Sequence, residues 1–309
     1  MENVKLPSTS TPRRAVVDAL ADRLKAQLYD DSAQSWDALI ASAKELLDEA
    51  IASGDEDAAN HAWFVHKVAA LRLAYVRAIE LLKQEQYYEG WCALEQVEIG
   101  LATLRKNPFY DVQDFAVLQL TDLVTNWQRL FPYHVFLSPE FAIRREECSI
   151  CGNSVDPWSS CTHEPGKVYG GKECHRTVKD FDLLGISLVR DPVQKYSLAR
   201  VFTTDSNGKQ VDQFDCSPVK FVVDRIRSPF TNWNVTWTKA RHPHNLFSDR
   251  PHDGPCPCDS GKPYRDCCLS RNGVIRPHLK IEFDEHPPTH LPSIEYTGYD
   301  TVEGDTKSD

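Results

Sequence analysis

The sequence predicts an α+β protein: an N-terminal helical bundle, then a cysteine-rich β region, then a small C-terminal cysteine module. Three observations carry this. Apolar residues recur at three- and four-residue spacing as far as Pro132, whereas beyond it the apolar runs are short and separated by Gly and Pro. Eight of the ten cysteines also fall into two tight groups, both in the second half of the chain. At 309 residues the chain exceeds the usual domain size of roughly 100 to 200 residues, so more than one folding unit is expected.

Residues 1–12 are rich in Ser, Thr and Pro and read as a disordered lead-in. The helical domain is placed at 13–140. Its first two segments carry Ala15, Val16, Leu20, Leu24 and Leu28, then Trp36, Leu39, Ile40, Ala43, Leu46 and Leu47, with Gly54-Asp55 as the stop before the third. The third, Trp63 to Leu81, is apolar on more than one face. Tyr87 to Leu104 and Val112 to Leu130 follow, closed by Asn107-Pro108 and Phe131-Pro132. Five helices with short connections suggest an up-and-down bundle or paired helical hairpins, with a dimer interface as one use of its surface.

A cysteine-rich β domain is placed at 141–250, a cysteine module at 251–275 and an acidic tail at 276–309. Strands are expected at Gly185–Val189, Leu198–Phe202, Val219–Val223 and Trp233–Trp237, with a turn at Ser206-Asn207-Gly208.

Formal charge is −10, unevenly spread: 13 Lys/Arg against 21 Asp/Glu to Glu140, 19 against 16 from Phe141 to Ile275, and 3 against 8 thereafter. The strong positive footprint of a duplex reader is therefore lacking, since phosphate neutralisation supplies most of such a protein's affinity. The first residues lack the apolar core of a signal peptide, and no run approaches the roughly 18 apolar residues of a membrane span, so the expectation is a cytoplasmic protein without membrane contact. Clustered cysteines in a reducing compartment point to metal ligation rather than disulfides.

The C-terminal group is Cys256, Cys258, Cys267 and Cys268: a close pair, eight intervening residues, then an adjacent pair. Four thiolates so spaced can surround one tetrahedral zinc ion, leaving no position for water, so the site reads as structural. The stretch resembles the SEC-C motif, the zinc module at the C-terminus of the translocation motor SecA and of many bacterial proteins. Cys256, Cys258, Ser260, Gly261, Tyr264, Cys267 and Cys268 match its pattern, and Asp259 departs from it where Gly is commoner. The resemblance covers about 25 residues and implies a binding platform for protein or ribosome partners.

In the second group, Cys148 and Cys151 have knuckle spacing, followed by Cys161, His163, Cys174 and His175. Cys148, Cys151, Cys161 and His163 are the expected ligands, with Cys174 as substitute and Gly166, Tyr169, Gly170, Gly171 and Lys172 forming the loop that closes over the knuckle. His175 is read as a surface residue. From Cys148 to Tyr196 the chain also resembles a zinc knuckle and following strand in phage-associated proteins of poorly defined role. Two Zn2+ ions are thus expected.

No catalytic residues are assigned. Nucleophile-elbow, phosphate-loop, dinucleotide and metalloprotease motifs are all missing. Glu146, Glu147, Glu164 and Glu173 flank the second group, which keeps a zinc hydrolase as the third-ranked reading. Trp233, Trp237, Lys239, Arg241, Lys262 and Arg265 interleave rings and cations as a binder of RNA or single-stranded DNA would, although Trp233, Val235 and Trp237 share a strand face and a packed core is the preferred reading of that pattern. The leading reading is a non-enzymatic adaptor docking a protein or ribonucleoprotein partner. A nucleic-acid-binding component of a bacterial defence or stress system is the alternative.

Overall fold

A computed structural model of the protein describes residues 11–200, 202–204, 208, 210–212 and 214–284. Five helices precede a series of two-stranded antiparallel sheets, a mixed α+β architecture as expected. The chain divides into two compact units, residues 1–128 with 132–214 and residues 129–131 with 215–309.

In the first unit, α1 (Pro12–Ala26) starts where Thr11 accepts a hydrogen bond from the Arg14 amide at 3.1 Å, with Pro12 at the first helical position. Thr11 and Pro12 therefore belong to a helix start rather than to a lead-in, because proline has no amide to leave unpaired there. Residues 1–10 of that lead-in lie outside the described residues. α2 (Ala33–Ala52) buries Trp36, Leu39, Ala43, Leu47 and Ala50 on one stripe. α3 (Glu56–Lys83), capped by Asp55, is buried on several faces and packs against α1, α2 and α4 (Tyr87–Lys106). Helices α3 and α4 approach closely at Gly100, where a Cβ would lie 2.3 Å from a methyl of Leu71. α5 (Val117–Leu130) sends the Trp127 indole N–H to the buried Tyr75 hydroxyl at 3.0 Å.

Arg72 of α3 lies wholly inside this helical domain. Its guanidinium donates to the carbonyls of Leu28 and Phe115, the latter at 2.9 Å, so one cation satisfies the end of α1's connection and the turn before α5. Burial lowers its pKa to about 10, which still leaves it charged at neutral pH.

After the helices come β1 (Phe136–Cys148) and β4 (Arg176–Val189), which pair as a long ribbon, and between them the hairpin β2 (Val168–Tyr169) and β3 (Lys172–Glu173). Gly185–Val189 is thus the end of a longer strand. Phe136 stacks near Trp91 of α4 with ring centroids 6.3 Å apart, and the Trp91 indole donates to the Lys195 carbonyl at 2.9 Å. Leu198 forms a single bridge to Phe136, and β5 (Phe202–Thr204) with β6 (Gln210–Asp212) begins only at Phe202. Val201 and the Ser206-Asn207 half of the expected turn lie outside the described residues.

The second unit contains α6 (Ser217–Val223), β7 (Trp233–His242) and β8 (Val274–Phe283). Val219–Val223, expected to be a strand, is helical. Pro218 sits in its first turn, and Val219 and Val222, three apart on one helix face, are both buried. Short apolar runs do not distinguish the two conformations by periodicity alone. Residues 276–283, read as tail, form most of β8. Val274 and Leu279 are buried and Lys280 and Glu282 exposed, and Pro277 is accommodated because a two-stranded sheet has free edges. No described helix is long and apolar enough to cross a membrane.

Arg72→Ala is expected to destabilise the helical domain by about 3 kcal/mol, because charge-assisted bonds to buried carbonyls are lost together with packing. Urea unfolding followed by helical circular dichroism measures this. Arg23→Ala, on the exposed face of α1, should stay within roughly 0.5 kcal/mol of the parent.

Candidate metal centres

The C-terminal group is built on two turns facing each other. Cys256 donates its amide to the Lys262 carbonyl at 2.8 Å, and Asp259 closes back on the Cys256 carbonyl at 3.1 Å. Asp259 has φ +61° and Gly261 φ +75°, both in the left-handed region. Gly satisfies that geometry without strain and Asp is among the side chains that tolerate it, so the departure from the commoner Gly at 259 leaves the turn intact. Its carboxylate in return meets Arg276 of β8 at 2.6 Å. The second turn, Tyr264–Asp266, is a short 3-10 helix delivering Cys267 and Cys268.

All four sulfurs lie within 4.8 Å of one another. Cys258 and Cys267 are 3.5 Å apart, Cys267 and Cys268 3.9 Å. Arms of 2.3 Å place tetrahedral sulfurs about 3.8 Å apart, so the donor set fits a zinc-sized ion. Cys256, Cys268, Tyr264 and Val274 form a small core packed by Phe247 and Leu269. Within it the Tyr264 hydroxyl and His244 Nδ1 are 2.6 Å apart, and His244 Nε2 donates to the Arg271 carbonyl at 2.7 Å. In the tautomer with its proton on Nε2, Nδ1 accepts from the tyrosine. Burial opposes the Cys258 thiolate, but hydrogen bonds from Ser260, Cys256 and Cys267 outweigh it and bring its pKa down to about 6, while burial pushes Cys268 up to about 12. Arg241, Lys262 and Arg271 line the same surface, where they would offset the negative charge that four thiolates leave around a divalent ion.

The central group sits at the end of the β1–β4 ribbon. Cys148 closes β1, and Gly152 returns to its carbonyl at 2.8 Å with φ +73°, the tight turn a knuckle needs. Cys148, Cys151, Cys161 and His163 present donor atoms all within 4.8 Å of one another, with Cys151 to Cys161 at 3.7 Å and Cys161 to His163 Nδ1 at 3.6 Å. Cys174 is near as well, its sulfur 3.8 Å from Cys148 and almost fully buried. Burial and the Cys148 neighbour push the Cys174 thiol up to about 11. Burial also opposes the Cys148 thiolate, but the Cys151 and Ile150 amides and the Cys161 and Cys151 thiols bring it down to about 6. Either sulfur of this pair can be the donor. His175 is exposed, as expected.

This loop is keyed to the helices. Asn107 donates to the Gly166 carbonyl at 2.7 Å and accepts from the Val168 amide at 2.9 Å, and Asn60 accepts from Gly171 at 2.8 Å. Gly170 and Gly171, both with positive φ, make the hairpin turn, and a Cβ on Gly171 would lie 2.7 Å from Leu47. Arg176 reaches the Cys161 sulfur at 3.7 Å and the His163 carbonyl at 2.7 Å. The supporting roles of Arg176, Asn60, Asn107 and His244 have no signature in the sequence, since nothing local to a polar side chain says which distant loop it will hold.

Of the carboxylates flanking this group, Glu147, Glu164 and Glu173 are each ion-paired with a lysine. Of the aromatic-basic series, Trp233 is buried beside Val235, Arg241 bonds the Gly273 carbonyl at 3.3 Å, and Arg265 pairs with Asp253 at 2.5 Å. Trp237, Lys239 and Lys262 are exposed.

Residues 255–270 match the family model of the SEC-C motif. No curated protein and no solved structure matches the chain. The chain therefore carries a SEC-C motif with its four-cysteine cluster, and a second Cys/His cluster with the donor chemistry of a zinc site.

His163→Ala should abolish metal binding at the central group, whereas Cys174→Ser should weaken it and leave one ion there. Zinc titration with a competing chromophoric chelator distinguishes these, and the reverse order would make Cys174 the fourth ligand. Metal retention should also fall as pH drops through about 6, where the Cys258 and Cys148 thiolates take up protons that compete with the metal. Dye-detected zinc release across pH 7.5 to roughly 4.5 measures it.

Proposed function

We propose that the chain is a non-enzymatic zinc-binding adaptor, with one zinc ion held by Cys256, Cys258, Cys267 and Cys268 and a second by Cys148, Cys151, Cys161 and His163. Its zinc modules shape a docking surface for a protein or ribonucleoprotein partner. The observation that carries this is the donor count: each group assembles four mutually close N or S donors, which fills a tetrahedral ion and favours a structural role over one with an open position. Thiolate and imidazole donors suit zinc. None of the ten cysteines is joined in a disulfide, which fits metal ligation in a reducing, cytoplasmic setting.

The nucleic-acid reading keeps support from one place, the exposed Trp237, Lys239 and Lys262, so RNA or single-stranded DNA is the competing partner.

Protein purified without added metal should carry two zinc ions, with one lost in Cys148→Ser and one in Cys256→Ser. A partner captured through the SEC-C module should be lost with Cys256→Ser and persist at about 0.5 M salt, where electrostatic contacts are screened within a few ångströms. Binding to single-stranded RNA that falls steeply with salt and with Lys239→Ala/Lys262→Ala would establish the nucleic-acid reading instead.

A further inference from the structure

Over the half of the β1–β4 ribbon from Leu137 to Ile143, one face is apolar and exposed. The register pairs Leu137 with Leu188, Pro139 with Ile186, Phe141 with Leu183 and Ile143 with Phe181. Alternation along β1, with the register shift between Glu140 and Phe141 restoring the phase on β4, places these pairs on a single face, and the Phe141 and Phe181 rings meet edge to face at 5.2 Å. The other face carries Ser138, Ser187, Glu140 and an Arg144–Asp182 ion pair. Exposure on the apolar face runs from 42% at Leu137 and 46% at Phe141 to 62% at Ile186 and 69% at Leu188.

A two-stranded ribbon is marginal alone in water and gains independent stability when its apolar face packs on another layer. Both ends of this one are held, by Phe136 on Trp91 and by the central cysteine loop on Asn107 and Asn60. Its middle is therefore presented rather than frayed.

We infer that this face is the dimer interface of the protein, occupied by the same face of a second copy, the two ribbons stacking about 10 Å apart as layers of a sandwich. Two arguments select a second copy. Seven large apolar side chains, each about half exposed, give roughly 600 Å² per protomer, or about 1,200 Å² in total, the lower bound of a standard stable interface. The paired positions carry no charge, so two chains of net charge −10 meet there without opposing like charges across the contact. An expectation that dimerisation uses the helical domain is thereby redirected, because the exposed large apolar residues of the helices, such as Val16, Ile99 and Leu118, are scattered among different helices.

The test is sedimentation equilibrium of the full chain at micromolar concentration, at about 0.1 and 0.5 M salt. Wild type should sediment at twice 35.1 kDa and associate more tightly at high salt, as apolar burial between like-charged molecules does. Ile186→Glu and Phe181→Glu should each weaken dimerisation at least 100-fold, while Ser187→Glu on the opposite face and Leu118→Glu on α5 leave it unchanged. Helical circular dichroism and zinc content confirm that each variant is folded. A wild-type monomer, a one-to-one complex with a different protein, or a dimer that survives both Ile186→Glu and Phe181→Glu would each overturn the inference.

Discussion

Sulfur atoms brought to within 4 Å of one another repel as thiolates, and a cation between them would turn that repulsion into attraction. The protein builds two such donor clusters, and most of its described non-helical structure is arranged around them. The ribbon β1–β4 terminates on one cluster at Cys148 and Arg176. The pair β7–β8 has the other in the connection between its strands, with Arg276 of β8 fastened to Asp259 of the cysteine turn. Two-stranded sheets are poor structures by themselves, and each long one here has a cross-link site within the segment its strands enclose.

The two clusters are embedded differently. The C-terminal one has a private core of Tyr264, Val274 and neighbours, together with a hydrogen-bond chain from Tyr264 through His244 to the Arg271 carbonyl. The central one borrows its support from the helices, through Asn60, Asn107 and the close contact of Gly171 with Leu47 and Ala59. Charge compensation differs too: several cations border the first, whereas a single arginine, Arg176, bonds both the sulfur of Cys161 and the carbonyl of His163.

The sequence made the helices and the donor groups legible for separate reasons. Helical spacing persists over 14 to 28 residues in the larger elements, long enough for the period to declare itself; thiol clusters announce themselves because cysteine is scarce and its chemistry narrow. Val219–Val223 misled because five apolar-rich residues fit either period, and β8 was hidden because its two exposed charges adjoin an acidic stretch. The full length of β4 was missed for a similar reason: Lys179, Asp180 and Asp182 interrupt the apolar run that its pairing with β1 reveals. Polar supports such as Asn107 act across 59 residues of chain, and no local pattern encodes that.

The order of the elements along β7, cysteine turn and β8 bears on how the chain reaches this state. His242 and Val274, the innermost pair of this ladder, lie 32 residues apart, and closing a loop of that length is an entropic delay on the route to the sheet. During synthesis all four cysteines of the turn emerge before β8 does. A metal captured at that moment would shorten the loop left to be closed and aim Val274 toward His242, so the ion would act as a template for the last strand as well as a brace for the finished fold.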